Sequence, residues 1–158
     1  MLSGLSRWIL KSLGWTVNND FPKVKKCVVI AAPHTSNWDF ILGLIAAKAI
    51  KLEPSWIGKH TIFRWPFAWL FRAMGGIPVR RGEGHNYIDQ LADMFAHADH
   101  MRLCLAPEGT RSKTDHWKTG FHRIARAAGV PILMAYFDYP RKRVGIEGMF
   151  YPSEDVRE

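Results

Sequence analysis

The stretch that decides the fold is "CVVIAAPHTSNWDFILG", residues 27–43. The apolar run Cys27–Ala32 predicts a buried strand, and a helical pattern of apolar residues starts near Trp38 and continues to Lys51. Pro33 ends the strand, so the polar residues in between form a strand-to-helix turn. Ser36 followed three residues later by Asp39 is the pattern of a capping box, with Ser36 as the N-cap. In open α/β sheets, turns of this kind carry ligands and catalytic groups.

His34 has no role in that cap. On a continuous helix, residues five apart lie about 140° apart around the axis, since each residue advances about 100°. If His34 precedes the helix and Asp39 lies in its first turn, the bend can bring the two together. The carboxylate would then fix the imidazole tautomer and leave the other ring nitrogen as a base. A solvated turn histidine beside a capping aspartate is the alternative.

The same alternation of strand and helix continues along the chain. Further strands are predicted at Trp56–Gly58, Ile77–Arg80, Arg102–Ala106, Pro131–Phe137 and Arg143–Glu147, and further helices at Trp65–Met74, Tyr87–His97 and Gly120–Ala128. This order predicts an α/β fold with a mixed, largely parallel sheet flanked by helices. At 158 residues we expect a single domain over 1–158, and the polar end "YPSEDVRE" suggests that it is cut short.

Composition restricts the partners. The formal net charge of +8 favours anionic partners: nucleic acid, an anionic membrane or a phosphorylated small molecule. Cys27 and Cys104 lie within apolar runs without metal or redox spacing, which favours a reducing compartment. No apolar run reaches the ~18 residues of a membrane span. The segment 1–17 instead keeps helical spacing of its apolar residues, which predicts an amphipathic N-terminal helix.

Two further stretches combine glycine with arginine. In "LAPEGTRS", residues 105–112, Glu108, Gly109, Thr110 and Arg111 follow a predicted strand. A glycine flanked by a hydroxyl and a guanidinium suits close approach to a phosphate. A surface turn with Glu108 paired to Arg111 is the alternative. The second stretch is "MGGIPVRRG", residues 74–82.

Together these stretches resemble the glycerolipid acyltransferase family, typified by 1-acylglycerol-3-phosphate acyltransferases. "HTSNWD" is similar to the family's H-x4-D block, "GGIPVRR" to its G-x-I-x-x-R block, "APEGTRS" to its F-P-E-G-T-R-S block and "VPILMA" to its V-P-I strand. All four blocks occur in the family's order and extend over most of residues 28–135. The resemblance implies transfer of a fatty acyl group from acyl-coenzyme A or acyl carrier protein to the hydroxyl of a lysophospholipid.

The resemblance also implies roles for individual residues. His34 would be the general base and Asp39 its partner, and no covalent intermediate, cofactor or metal ion is required because the thioester is already activated. Arg81, Glu108, Gly109, Thr110 and Arg111 would bind the acceptor. Lys59 resembles a lysine that follows a strand in this family and would add charge to that pocket; an exposed surface lysine is the alternative. The preferred acceptor is 1-acylglycerol-3-phosphate, which would give phosphatidic acid; other lysophospholipids and lyso-aminolipids stay open, as do acyl-chain length and the choice of donor.

A lipid substrate also accounts for the aromatic residues. "FRWPFAWLFRAMGG", residues 63–76, places tryptophans among arginines, as membrane-interface segments do. Together with the segment 1–17, this predicts a peripheral or monotopic protein at the cytoplasmic face of a membrane. The alternative for most of these rings is burial against the sheet.

Two other classes of function remain open. A nucleic-acid-binding module would use the positive charge, but no recognition motif appears and we expect no nucleic-acid partner. A metal-dependent hydrolase would use His34, Asp39 and Glu108 as ligands, but no second histidine stands at ligand spacing.

Overall fold

Seven strands in the described part of the chain form one mixed sheet. The computed structural model describes residues 2–18, 21–34, 36–79, 84–110 and 114–153. Within them the strands are β1 (Thr16–Val17), β2 (Lys26–Ala32), β3 (Ser55–Lys59), β4 (Gly76–Val79), β5 (Met101–Leu105), β6 (Ile132–Asp138) and β7 (Arg143–Phe150). Their order across the sheet is β1-β7-β6-β2-β5-β3-β4. The five strands from β6 to β4 are parallel, while β7 runs antiparallel to β6 and carries β1 parallel to itself.

Helices cover both faces of this sheet. They are α1 (Leu2–Ser12), α2 (Asn37–Ala49), α3 (Ala68–Ala73), α4 (Gly84–His97) and α5 (Gly120–Ala128), with a 3₁₀ turn at His60–Ile62. Val28, Ile30 and Leu103 on one face of β2 and β5 pack with Leu91 of α4 and Ile124 of α5. This face holds the largest group of buried apolar side chains that the structure describes.

The opposite face of the sheet carries α1 and α2. Leu10 of α1 and Leu42 of α2 pack with Phe137 of β6 and Val144 of β7. Alternation along β2 sends Cys27 and Val29 to this side and Val28 and Ile30 to the other, as the two-residue period of a strand requires. A strand buried on both faces reads as a continuous apolar run, which is why β2 was recognisable from the sequence.

The predicted fold class is confirmed: the domain is α/β, with a largely parallel mixed sheet flanked by helices. The predicted strands agree with the observed ones to within three residues, although Arg80 lies outside the described residues. The helix predicted at Trp65–Met74 is shorter, because Trp65 precedes Pro66 and a residue before proline avoids helical geometry. The two-residue strand β1 has no pattern of its own and was missed. Among the described residues, no helix is both long and apolar enough to cross a membrane.

Candidate active site

The carboxyl ends of the parallel strands bring the sequence blocks together. β2 pairs with β5 so that Ile30 lies opposite Leu105, and the turns that follow both strands start side by side. A hydrogen bond joins these turns: the backbone N–H of His34 donates to Oε2 of Glu108 at 3.1 Å. Glu108 therefore holds the backbone at the histidine, 74 positions away in the sequence.

The predicted capping box at the start of α2 is confirmed. The Ser36 side chain accepts from the N–H of Trp38 at 3.0 Å, and the Ser36 N–H donates to Oδ2 of Asp39 at 2.8 Å. These bonds satisfy N–H groups at the helix start that have no partner within the helix. They also hold the Asp39 carboxylate against the turn that carries His34.

His34 and Asp39 meet across this bend. Nδ1 of His34 lies 3.3 Å from Oδ2 of Asp39. The Asp39 side chain is 1% exposed, whereas that of His34 is 26% exposed. A carboxylate facing Nδ1 favours the tautomer with the proton on that nitrogen, which leaves Nε2 free to accept a proton. The same aspartate thus caps the helix and contacts the histidine, so the two interpretations of Asp39 are compatible.

Tyr139 is a member of this cluster that was not predicted from the sequence. It follows β6, and its hydroxyl donates a hydrogen bond to Oδ1 of Asp39 from 100 positions away. Burial, together with the hydrogen bond and the charge of Asp39, raises the pKa of Tyr139. The position of Tyr139 just past a predicted parallel strand was an available indication, because the carboxyl ends of such strands share one edge.

An apolar chamber of about 690 Å³ adjoins His34 and Asp39. It lies between α2 and the sheet. Its volume is within the range of about 300–1,000 Å³ that is typical of ligand pockets. Most of its lining is apolar and comes from the strands and from α2, including Val29, Ala31, Phe40, Leu44, Ala47, Cys104, Ala135 and Phe137. Burial raises the pKa of the Cys104 thiol to about 12, so this cysteine is a neutral part of the wall.

Gly109 and Thr110 reach the chamber from the turn after β5. Gly109 has φ +61°, a left-handed conformation that favours glycine. A Cβ at this position would lie 2.8–2.9 Å from the end of the Lys118 side chain. Lys118 is therefore a cation beside this block that was not predicted from the sequence. Its backbone N–H donates to the carbonyl of Pro107 at 2.8 Å.

The remaining predicted acceptor-binding residues are Lys59, Arg81 and Arg111. Lys59 is the exposed last residue of β3, at the same sheet edge, and is not among the described residues that line the chamber. Arg81 and Arg111 lie outside the described residues. Within the described ranges, no group of three or more histidine, cysteine, aspartate or glutamate side chains is arranged to hold a metal ion.

The family is shown by sequence comparison. The family model described as Acyltransferase matches residues 15–137, more than half of the chain. The chain therefore belongs to the acyltransferase family.

The fold has a relative among solved structures. It is similar to the crystal structure of PlsC, the 1-acyl-sn-glycerophosphate (LPA) acyltransferase from Thermotoga maritima, with a TM-score of 0.69. The match covers 98% of this chain and 69% of that one, at 18% sequence identity. At this identity the likeness supports the shared fold. No protein of curated function matches the sequence significantly.

Proposed function

We propose that this acyltransferase moves a fatty acyl group from acyl-coenzyme A or acyl carrier protein to the free hydroxyl of a lysophospholipid, with 1-acylglycerol-3-phosphate as the first candidate acceptor. The observation that carries the proposal is the His34–Asp39 pair beside an apolar chamber. A base next to a hydrocarbon-lined cavity suits a reaction that joins a hydroxyl to a fatty acyl group.

The geometry supports general-base catalysis by His34. Its Nε2 would take the proton from the acceptor hydroxyl as that oxygen attacks the thioester carbonyl. The thiolate of the donor leaves, and the imidazolium gives its proton to that thiolate, which is released as the thiol. Asp39, 3.3 Å from Nδ1, stabilises the imidazolium in between. General-base assistance typically contributes about 10²–10⁴-fold, and the positioning of two bound substrates supplies much of the remainder.

The chamber between α2 and the sheet is our candidate site for the acyl chain. Its apolar lining would remove methylene groups from water, at about 0.8 kcal/mol for each one buried. A chain inside it would place the thioester carbonyl near His34, because both His34 and Asp39 belong to the wall. No cofactor is required by this chemistry; the thioester enters as a substrate.

For the acceptor phosphate we propose the turn after β5. Gly109 leaves room for the Lys118 side chain, which adds a positive charge beside this turn, and Thr110 contributes a hydroxyl. Arg81 and Arg111 are assigned to the same phosphate by their resemblance to the family's blocks, and Lys59 by its resemblance to a family lysine that follows a strand. Arginine suits this role because its planar guanidinium can make two parallel hydrogen bonds to a phosphate.

The acceptor and the product are lipids, so we further propose contact with a membrane surface on its cytoplasmic face. Leu5, Trp8 and Leu13 of the N-terminal segment are exposed, while Leu10 is buried against α2. A second group of exposed apolar side chains lies in the segment from Ile62 to Arg72 after β3, which we call the aromatic segment; Phe63 within it is buried. Trp65 in it is 91% exposed.

The aromatic segment has the charges that suit a lipid surface. Its exposed rings are Trp65, Phe67 and Trp69, and the exposed Arg64 and Arg72 stand among them. Aromatic rings favour the acyl boundary of a bilayer, and arginines favour anionic headgroups. The segment follows β3 at the sheet edge that carries His34, so a membrane bound there would bring lipids to the site.

The test is a product assay. Purified protein is incubated with an acyl donor and a panel of lysophospholipids and lyso-aminolipids. The donor is either acyl-coenzyme A or acyl carrier protein loaded with a fatty acyl group, and products are identified by mass spectrometry. We expect an acylated product whose yield depends on both substrates, with phosphatidic acid from 1-acylglycerol-3-phosphate the most abundant. Hydrolysis of the thioester without any acylated lipid would contradict the proposal.

A further inference from the structure

Tyr139 contacts the side of the Asp39 carboxylate that His34 does not use. Oδ2 of Asp39 faces Nδ1 of His34 at 3.3 Å and accepts the Ser36 N–H at 2.8 Å. Oδ1 accepts the hydroxyl of Tyr139. The two carboxylate oxygens therefore have separate partners, one set from the strand-to-helix turn after β2 and the other from the turn after β6.

We infer that Tyr139 is a positioning residue that acts through Asp39 to hold the His34–Asp39 pair in its reactive arrangement. This inference rests on the proposed acyltransferase reaction. It concerns a residue outside the four sequence blocks that resemble the family.

Tyr139 is itself held in place. Its ring meets the ring of Trp15 edge to face, with centroids 5.2 Å apart and an interplanar angle of 88°. The backbone N–H of Trp15 donates to the carbonyl of Leu10 at 2.8 Å, and the carbonyl of Tyr139 accepts from the backbone N–H of Lys142 at 3.2 Å. Contacts to both the ring and the backbone of Tyr139 thus support the position of its hydroxyl beside Asp39.

The hydroxyl is suited to this task at neutral pH. Its pKa is raised, first by burial and then by Asp39, so it stays protonated and able to donate. Asp39 is almost completely buried, and a buried carboxylate depends on hydrogen-bond donors in place of water. A donor on Oδ1 also fixes the carboxylate plane, and with it the direction of Oδ2 toward the imidazole.

Removing the hydroxyl should affect the chemical step more than binding. A hydrogen bond to a charged group is typically worth about 1.5–3 kcal/mol, or roughly 10- to 150-fold. Because the imidazolium forms during the reaction, we expect the loss of rate to appear in kcat. We expect it at the low end of that range, because Tyr139 acts on the imidazole only through Asp39. Tyr139 is not among the described residues that line the chamber, so the KM of donor and acceptor should change little.

The experiment compares wild-type protein with Tyr139→Phe, which keeps the ring against Trp15 and removes only the hydroxyl. We expect kcat to fall about 10-fold, with both KM values within about twofold of wild type. Tyr136→Phe is the matched control, because it removes a hydroxyl from β6, three residues before Tyr139, at a residue that does not line the chamber. It should leave kcat unchanged. The melting temperature of each variant shows that the folded state is retained, which the 41% exposure of Tyr139 favours.

A double-mutant cycle separates positioning from a structural role. If Tyr139 acts through Asp39, Tyr139→Phe should change kcat by less than about twofold in an Asp39→Asn background. An unchanged kcat in the single variant would overturn the inference, as would an equal loss in both backgrounds. A wild-type protein without acyl transfer would instead count against the proposed function, so the two failures are distinguishable.

Discussion

Nδ1 of His34 lies 3.3 Å from Oδ2 of Asp39, and the Asp93 carboxylate lies at the same 3.3 Å from Nδ1 of His97. The two pairs differ in their surroundings. His97 and Asp93 are 80% and 72% exposed on α4, where an ion pair contributes little because water screens it. Asp39 is 1% exposed and bonded to the backbone of Ser36, so its charge acts on the imidazole with little screening. Burial, rather than distance, distinguishes the candidate catalytic pair.

Asp39→Asn separates the two roles of this residue. The amide oxygen of asparagine can still accept the Ser36 N–H, so we expect the melting temperature to fall only slightly. The charge that stabilises the imidazolium is lost, so the rate of acyl transfer should fall by about 10²–10⁴-fold. Circular-dichroism melting and a product assay on the same sample measure both. A large drop in melting temperature with an unchanged rate would show that Asp39 serves only as a helix cap.

Leu44→Trp tests the chamber as the acyl-chain site. Leu44 belongs to α2 and lines the chamber, so a larger ring there should shorten the space available to the chain. We expect the preference to move toward shorter acyl donors, by at least tenfold in the ratio of kcat/KM for long and short chains. Each excluded methylene removes about 0.8 kcal/mol of burial.

The matched control for the chamber is Lys48→Trp, which adds the same ring to the exposed face of α2, one turn further along. It should keep the wild-type chain-length profile. Equal profiles for both variants and the wild type would show that the acyl chain binds elsewhere.

Arg111→Ala should weaken binding of the acceptor phosphate, and Arg111→Lys should weaken it less, because lysine keeps the charge but loses the two-pronged geometry. Loss of one charge-assisted hydrogen bond typically costs about 1.5–3 kcal/mol, so the acceptor KM should rise roughly 10- to 150-fold. The KM of the thioester should stay nearly unchanged. A rise in the thioester KM alone would assign Arg111 to the donor site instead.

The membrane proposal is tested by flotation with vesicles that contain anionic phospholipid. Replacement of Trp65 and Trp69 by serine should reduce the bound fraction, because both rings are exposed in the aromatic segment. Replacement of Leu5 and Trp8 tests the N-terminal helix in the same way.

Trp117→Ser is the control for flotation, since Trp117 is exposed on a different turn and contacts Phe121. It should float as the wild type does. If neither pair of substitutions reduces flotation, the membrane-contact surface has been assigned incorrectly.

The sequence was sufficient to predict the parts of the structure that local patterns determine. The buried run at Cys27–Ala32 and the capping residues Ser36 and Asp39 predicted β2, the start of α2 and the bend that brings His34 to Asp39. The catalytic and binding roles of these residues remain predictions.

Contacts between distant segments could not be predicted in this way. The Glu108 carboxylate reaches the backbone of His34 and Tyr139 reaches Asp39 only because parallel strands end at a common edge. The predicted strands indicate that these turns share one edge of the sheet, but no spacing in the sequence specifies which side chains meet there. The chamber depends similarly on how α2 packs over the sheet, to which many separate residues contribute.

The most direct test of the account is the initial rate of phosphatidic acid formation from 1-acylglycerol-3-phosphate and an acyl thioester by wild-type protein, His34→Ala and His97→Ala. His97→Ala removes the exposed histidine of the similar pair on α4 and should retain the wild-type rate. His34→Ala should retain at most a few per cent of it at an unchanged melting temperature, because general-base help of about 10²–10⁴-fold is lost. A folded His34→Ala protein with the wild-type rate would show that His34 is not the base and would contradict the account.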